Sequence, residues 1–381
     1  MSNTAAPKTV NPVLNAIAAE LPRPAWSTEE LLTAGHGHLS DKLVHMFGGL
    51  GVQTRHSVLA NYPDVLFQGA EPKLDVSATE LAVAAARKCL AKAEVPMHEI
   101  GLVLGVTSSP GRLLPSLVCD MFAQMPEIPR DTANLSIEYM GCSAMAKVVD
   151  TVRWFLTSRP DQRVLVCFME AITPLSPDLP AFYSHFSEIR AEDRQETVDA
   201  MHGFLFGDAA VAMVFGADGP GPSFGPAANL TNERAEDTEL GTVPDGGSDL
   251  PLVQGRRLYT LSPDVTPRGV FYASETVRTL LAGEDCELAD PGDASMLLMH
   301  TGSTRILDGL CQRFGVSPDS ETVASSYRVL RDYGNTIGCS VPLMLAEPVH
   351  REAGHGLLVA FGLSFSCGAF AMTVPPGGWT P

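Results

Sequence analysis

Apolar residues in this chain gather into short unbroken runs separated by polar turns. Ile100–Val106, Arg163–Met169, Ala209–Phe215, Met296–His300, Gly356–Phe361 and Phe365–Val374 read as buried strands. Between them lie segments with helical period. Ser77-Ala78-Thr79-Glu80 is a capping box that opens an alanine-rich helix to about Ala93. Leu114-Pro115 starts another helix, and the second half carries one from Ser303 and one near Thr322–Arg331. Before all of these, the stretch to about Gln68 holds an apolar-periodic segment near Val13–Leu21, a proline-rich break, and Leu39–Met46 ahead of Val52-Gln53-Thr54-Arg55-His56. Buried strands alternating with helices of this size predict α/β layers.

One stretch organises the rest. The strand Asn134–Met140 alternates, stops at Gly141, and is followed at once by Cys142, after which apolar residues recur at Met145, Val148, Val149, Val152 and Phe155. That is strand, tight turn, helix, with a thiol at the helix start. The free N–H groups of a helix N-terminus favour negative charge, so the pattern predicts a Cys142 thiol lowered towards thiolate and makes it the candidate nucleophile. An isolated Gly-Cys-Ser would equally describe a small buried hydrophobe.

Two further segments set the organisation. Thr173–His202 is polar, with a charged helical stretch from Glu188 to Asp199, and reads as a solvated helix on a surface insertion. From about Gly216 to Gly255 glycine, proline and acidic residues dominate, which marks a connection between halves. The expected division is 1–220, with the nucleophilic cysteine, and 221–381. Both halves end in a long buried strand or hairpin, which points to duplication.

Composition narrows the function classes. The chain has 381 residues, 45% hydrophobic and 18% charged, which suits a globular protein with a large core. Its formal net charge of −18 disfavours generic binding to nucleic acid or to an anionic membrane. With no membrane-length apolar run and no basic-then-apolar leader, the expected place is the cytoplasm. The eight cysteines are scattered singly without CxxC pairs, so they read as reduced thiols and neither as a disulfide framework nor as a metal site.

Two residues complete a constellation with Cys142. His300 ends the strand Met296-Leu297-Leu298-Met299, and Asn335 sits in Tyr333-Gly334-Asn335-Thr336 at the start of an apolar helix. Strand ends are where α/β folds place their sites. An imidazole exchanges protons with a thiol, and an amide is a neutral donor for an enolate or carbonyl oxygen. Taken singly, His300 could cap a strand and Asn335 a helix.

The motifs now assembled resemble those of the thiolase superfamily. They are His300-Thr-Gly-Ser-Thr-Arg305-Ile306, Tyr333-Gly-Asn335-Thr-Ile-Gly-Cys-Ser-Val-Pro-Leu, Leu205-Phe-Gly-Asp-Ala-Ala and Phe361-Gly-Leu-Ser-Phe-Ser-Cys-Gly. The resemblance is to the branch of ketoacyl-ACP synthase III and chalcone-synthase-like (type III) polyketide synthases, and it runs from about Leu39 to Thr373. It implies a duplicated five-layer αβαβα fold and an acyltransferase that joins carbons by Claisen condensation. Carried over, Cys142 is acylated, while His300 and Asn335 support decarboxylation of a malonyl-type extender and bind its enolate oxygen. The acyl oxygen would lie against the N–H groups of Cys142 and Leu363, Phe206 and Tyr259 would line the cavity, and no resident cofactor or metal is implied. Substrates would ride on the phosphopantetheine of an acyl carrier protein or on coenzyme A. Family members are dimers, and the loop near Leu113-Leu114 would cross into the partner's cavity, so that Leu114 lines it.

The two sides of the branch differ in their donor. Arg55-His56, Arg305 and Ser340-Val-Pro-Leu resemble ketoacyl-ACP synthase III, whereas Glu170-Ala-Ile-Thr and Tyr259-Thr-Leu-Ser resemble the chalcone-synthase side. Of three basic coenzyme A positions on that side only Lys42 is kept, with His45 and Gly49 in the others. Arg305 and Arg313 fall where carrier protein is met, and a chain this acidic needs a local basic patch for an acidic carrier. The expected donor is therefore a carrier protein, with Arg256, Arg257 and Arg268 as further contacts. Ser364 stands where the family usually has glycine. Four other readings stay open: acyl transfer to an alcohol or amine, condensation without decarboxylation, a non-catalytic relative acting as a binding partner, which the intact triad argues against, and a papain-like protease, which lacks its Cys-Gly-Ser-Cys-Trp signature.

Overall fold

The computed structural model describes residues 9–176, 179–182, 197, 200–243, 260–300, 302–362 and 365–381. Nine strands form its main sheet: β1 (Val13–Glu20), β2 (Ile100–Thr107), β3 (Ala133–Glu138), β4 (Arg163–Glu170), β5 (Ala209–Gly216), β6 (Ser223–Thr231), β7 (Met296–Met299), β8 (Gly354–Gly362) and β9 (Ser366–Val374). Their spatial order is β7-β8-β9-β6-β1-β5-β4-β2-β3. β2 runs parallel to β3 and β4, and β5 runs antiparallel to β4 and β1. The pattern recurs downstream, where β7 is parallel to β8, and β9 is antiparallel to β8 and β6. The two sets touch through the pair Val13 and Ser223.

The helices that matter for the site are α1 (Asp41–Gly48), α2 (Ala78–Ala93), α3 (Leu117–Gln124), α4 (Ala144–Ser158), α5 (Val265–Leu281), α6 (Thr304–Phe314), α7 (Ala324–Tyr333) and α8 (Ser340–Ala346). At the start of α2 the capping box closes in both directions: Ser77 Oγ accepts from the Glu80 N–H at 3.2 Å and Glu80 Oε2 accepts from the Ser77 N–H at 3.0 Å.

Layering follows from the two-residue period of the strands. Along β4, Val164, Val166 and Phe168 join a core that includes Met145 and Val149 of α4 and Leu343 of α8. The alternate residues Leu165, Cys167 and Met169 join a second core with Leu81 and Ala85 of α2 and Met121 of α3. Both faces are covered, which is why β4 reads as an unbroken apolar run. On β9 the same alternation puts Gly368 against Ala146 of α4 and Cys367 against Thr276 of α5. Thus α4 lies between sheet segments with α2 and α5 outside, the five-layer α/β arrangement.

Some elements differ from the sequence reading. The apolar-periodic segment near Val13–Leu21, given no element from sequence, is strand β1 (Val13–Glu20), flanked by β5 and β6. The stretch read as a connection contains β6, a central strand whose Gly225, Pro226 and paired alanines give it no apolar run to stand out by. The helix expected from Leu114-Pro115 begins at Leu117. The helix expected from Glu188 to Asp199 lies outside the described residues except for Thr197, which is helical.

Candidate active site

The chain leaves β3 at Glu138 and bends through Tyr139 (φ 60°) and Gly141 (φ 56°) into one tight turn, Gly141–Ser143, from which α4 continues. Left-handed backbone on both sides of Met140 makes the reversal sharp. Polar contacts hold it: the Tyr139 N–H donates to Thr107 O at 3.0 Å, the Gly141 N–H to Ser108 Oγ at 2.9 Å, and the Ser143 hydroxyl to Met140 O at 2.8 Å. The end of β8 lies directly against this turn. A Cβ on Gly362 would sit 2.4 Å from Met140 O and 3.2 Å from Cys142 N, so a side chain there would push β8 off the nucleophile.

Asn335 arrives from the other half. Its N–H donates to Leu205 O at 2.9 Å and its carbonyl accepts from the Gly207 N–H at 3.2 Å, clamping it to the segment that contains the buried Phe206. Asn335 Oδ1 accepts from the Ile337 N–H at 2.9 Å, which identifies the oxygen end of the amide and leaves the NH2 group as its donor. Cys142 Sγ lies 3.9 Å from that same Oδ1.

His300 follows the last residue of β7. Its N–H donates to Val359 O of β8 at 2.9 Å, and its ring packs on Phe361 with centroids 4.3 Å apart. β8 therefore carries His300 beside Val359 and meets Cys142 at Gly362. Cys142 and Asn335 touch directly, and His300 is attached to them through this strand. Burial lowers the His300 pKa to about 3, so the imidazole is neutral at ordinary pH, and its Nδ1 is buried without a hydrogen-bond partner among the described residues.

The thiol departs from expectation. Burial first, and then the charge of Glu170, push the Cys142 pKa well above the ordinary thiol value, although the hydrogen bond from its own N–H pulls the other way. Desolvation of a thiolate outweighs the effect of the helix start, so the resting site is a neutral thiol, a neutral imidazole and a neutral amide. Sequence reasoning marked Glu170 as the end of a strand and the start of the Glu170-Ala-Ile-Thr motif, and gave it no role at the thiol. It is 1% exposed, and burial raises its carboxyl pKa to about 7. An acidic residue closing an apolar run was the signal for it.

The remaining expected residues are scattered. Leu114 is 83% exposed in the loop after β2, beside Leu113 at 56%. Lys42 on α1 and Arg305 and Arg313 on α6 are exposed. Thr304 Oγ1 donates to Leu50 O at 3.2 Å, so the start of α6 touches the chain just beyond α1, and Arg313 Nε donates to Ser274 Oγ at 3.3 Å. Arg268 is not a free cation: its Nε donates to Asp237 Oδ1 at 3.0 Å and NH2 to Oδ2 at 2.5 Å, and its guanidinium lies over Phe271 and Tyr272. That ion pair occupies the group expected to meet a carrier. Tyr259, Leu363, Ser364, Arg256 and Arg257 lie outside the described residues. No helix among the described residues is long and apolar enough to cross a membrane.

Comparison with known proteins adds to this geometry. Residues 287–374 match the family model described as 3-oxoacyl-[acyl-carrier-protein (ACP)] synthase III C terminal. Beta-ketoacyl-[acyl-carrier-protein] synthase III of Nitratidesulfovibrio vulgaris is 28% identical over 305 residues, covering 77% of this chain and 82% of that protein. Among solved structures, 3-oxoacyl-(acyl carrier protein) synthase III from Pseudomonas aeruginosa is similar with a TM-score of 0.71 at 20% identity, over 96% of this chain and 98% of the other. The C-terminal type III polyketide synthase domain of a Dictyostelium type I/III hybrid is similar with a TM-score of 0.76 at 17% identity, over 96% and 99%.

Proposed function

We propose that this chain, similar to ketoacyl-ACP synthase III in sequence and to that enzyme and type III polyketide synthases in fold, is a thiolase-superfamily ketosynthase working through an acyl group on Cys142. In the first half-reaction Cys142 Sγ attacks a thioester carbonyl, the carrier thiol leaves, and the thiol proton passes to it. In the second, a malonyl-type extender loses CO2 and becomes an enolate. Neutral His300 and the NH2 group of Asn335 donate to the enolate oxygen, its carbon attacks the acyl carbonyl on Cys142, the bond from that carbonyl to Sγ breaks, and the released thiolate takes a proton from solvent to restore the neutral thiol. Neutral donors suit this step, since they stabilise charge as it develops without protonating the enolate outright. The acyl oxygen is assigned to the Cys142 and Leu363 N–H groups.

The observation that carries the reading is the 3.9 Å approach of Cys142 to Asn335, at the meeting of two turns that each open a helix. Carrier-bound donors are favoured because exposed Lys42, Arg305 and Arg313 stand on neighbouring helices of a chain with net charge −18. A homodimer is favoured because β3 is an edge strand that carries exposed Leu135 and ends at exposed Tyr139, with Leu113 and Leu114 exposed in the loop after β2. The biosynthetic setting would be fatty-acid, polyketide or other secondary-metabolite assembly.

The test is a product assay with an acyl thioester and malonyl-loaded carrier protein. A 3-oxoacyl product with release of one CO2 per turnover supports the reading. An acyl group delivered to an added alcohol or amine, with no CO2 released, replaces it with simple acyl transfer.

A further inference from the structure

Glu170 stands at the end of β4 with no cation among its hydrogen-bond partners in the described residues. Its carboxyl group accepts from Ser109 Oγ at 2.6 Å, from the Ser108 N–H at 3.1 Å to each oxygen, and from the Gly338 N–H at 3.3 Å. Gly338 lies three residues after Asn335, in the turn that opens α8. Ser108, for its part, accepts the Gly141 N–H on its hydroxyl at 2.9 Å. One buried acid therefore reaches the Asn335 turn directly and the Cys142 turn through a single serine.

We propose that Glu170 is a positioning residue for the reactive pair: its carboxyl group bridges the turn carrying Cys142 and the turn following Asn335, and its state of protonation governs when the thiol can react. The inference rests on the reading of Cys142 as nucleophile and adds a control on it.

The bridge works in both protonation states. Ionised, the group only accepts, and all of its partners donate. Protonated, its O–H can donate to Ser109 Oγ, a hydroxyl that accepts from the Ala171 N–H at 2.8 Å and can turn from donor to acceptor. The titratable groups facing Glu170 are Cys142, Cys339 at the start of α8, and Asp208 ahead of β5. None of them carries positive charge. Burial and the Asp208 charge raise the Glu170 pKa to about 7, against the lowering effect of Ser109, Ser108 and Gly338. Ionised Glu170 in turn opposes a second negative charge on Cys142. Two acids sharing one buried site lose their protons one after the other, so ionisation of the carboxyl delays that of the thiol.

The test is alkylation of Cys142 by iodoacetamide as a function of pH, read on the Cys142 peptide by mass spectrometry because Cys119 is exposed. In Glu170→Gln the half-point should fall by about one pH unit or more, which raises the rate about tenfold at pH 9, where wild-type Glu170 is ionised, and about twofold at pH 7. In Glu170→Asp, which keeps the charge but shortens the reach to Gly338, the half-point should stay near wild type while condensation slows. A Gln profile superimposed on wild type, or an Asp profile displaced like the Gln one, would overturn the proposal. If Glu170→Gln fails to fold, the wild-type profile decides: two coupled ionisations must be visible, and a single titration curve rejects it. Iodoacetamide needs no acyl donor, so a chain that shows the shift yet accepts no acyl group would sink the ketosynthase reading while leaving this one standing.

Discussion

Cys142 Sγ and Asn335 Oδ1 lie 3.9 Å apart although 193 positions separate them in the chain. Each sits where a turn opens a helix in the middle layer, and each turn is pinned by backbone bonds to a neighbouring segment. A pair held from so many directions keeps its geometry without a ligand. Such preorganisation is what lets neutral donors stabilise a developing oxyanion.

The two neutral donors should separate the half-reactions. His300→Ala and Asn335→Ala are expected to lower the condensation rate by about 10²–10³-fold. Acylation of Cys142 should persist within about tenfold of wild type, since that step does not pass through the enolate. Single-turnover assays with preloaded enzyme measure the two rates separately, and undiminished condensation in either variant would rule out the enolate role.

Buried histidines and buried acids give opposite pH dependences. His300 and His202 have folded pKa values of about 3 against an ordinary 6.5, so the stability they contribute is present above 6.5 and lost as pH falls towards 3. Glu170 and Asp208 are raised to about 7 and about 6 from 4.5 and 3.8, so their contribution is present below the ordinary values and lost as pH rises through the raised ones. The drop in Tm from pH 7 to pH 4 should be smaller in His300→Gln than in wild type. Glu170→Gln should gain Tm relative to wild type at pH 8. Equal drops in the first comparison would mean that His300 is not buried neutral.

The edge strand offers a direct test of assembly. Leu135 is 46% exposed on β3, and an aspartate there would place charge in the centre of an apolar contact. Wild type should scatter light as a dimer and Leu135→Asp as a monomer or a concentration-dependent mixture. A wild-type monomer at working concentration would remove the dimer and leave Leu114 outside any cavity.

Carrier docking should be electrostatic. Charge reversal at Arg305 or Arg313 should raise the apparent KM for carrier-bound acyl groups and leave the same acyl groups on coenzyme A less affected. Added salt should weaken the carrier reaction, since exposed charges are screened over about 8–10 Å at physiological ionic strength. Equal use of coenzyme A thioesters, with no effect of either reversal, would return these arginines to the role of surface charges.

Much of the fold was legible because its central strands are covered on both faces and so read as apolar runs: β4 was delimited to within a residue from its pattern. β6 escaped because Phe224 is its one buried residue, so a strand in the middle of the sheet shows no apolar run. Cys142 was legible from its strand, glycine and helix context, and His300 and Asn335 from strand and helix ends. Their electrostatics were not, since the thiol is governed by burial and by Glu170, which no local pattern connects to it. Arg268 shows the same limit: a basic residue looks available until Asp237 is found beside it.

The most direct measurement is the mass of the Cys142 peptide after brief incubation with a carrier-bound acyl donor. One acyl mass should appear on that peptide in wild type and be absent in Cys142→Ala. Acylation that persists elsewhere in Cys142→Ala with product still formed, or wild type that turns over without ever carrying an acyl group at Cys142, would contradict the account.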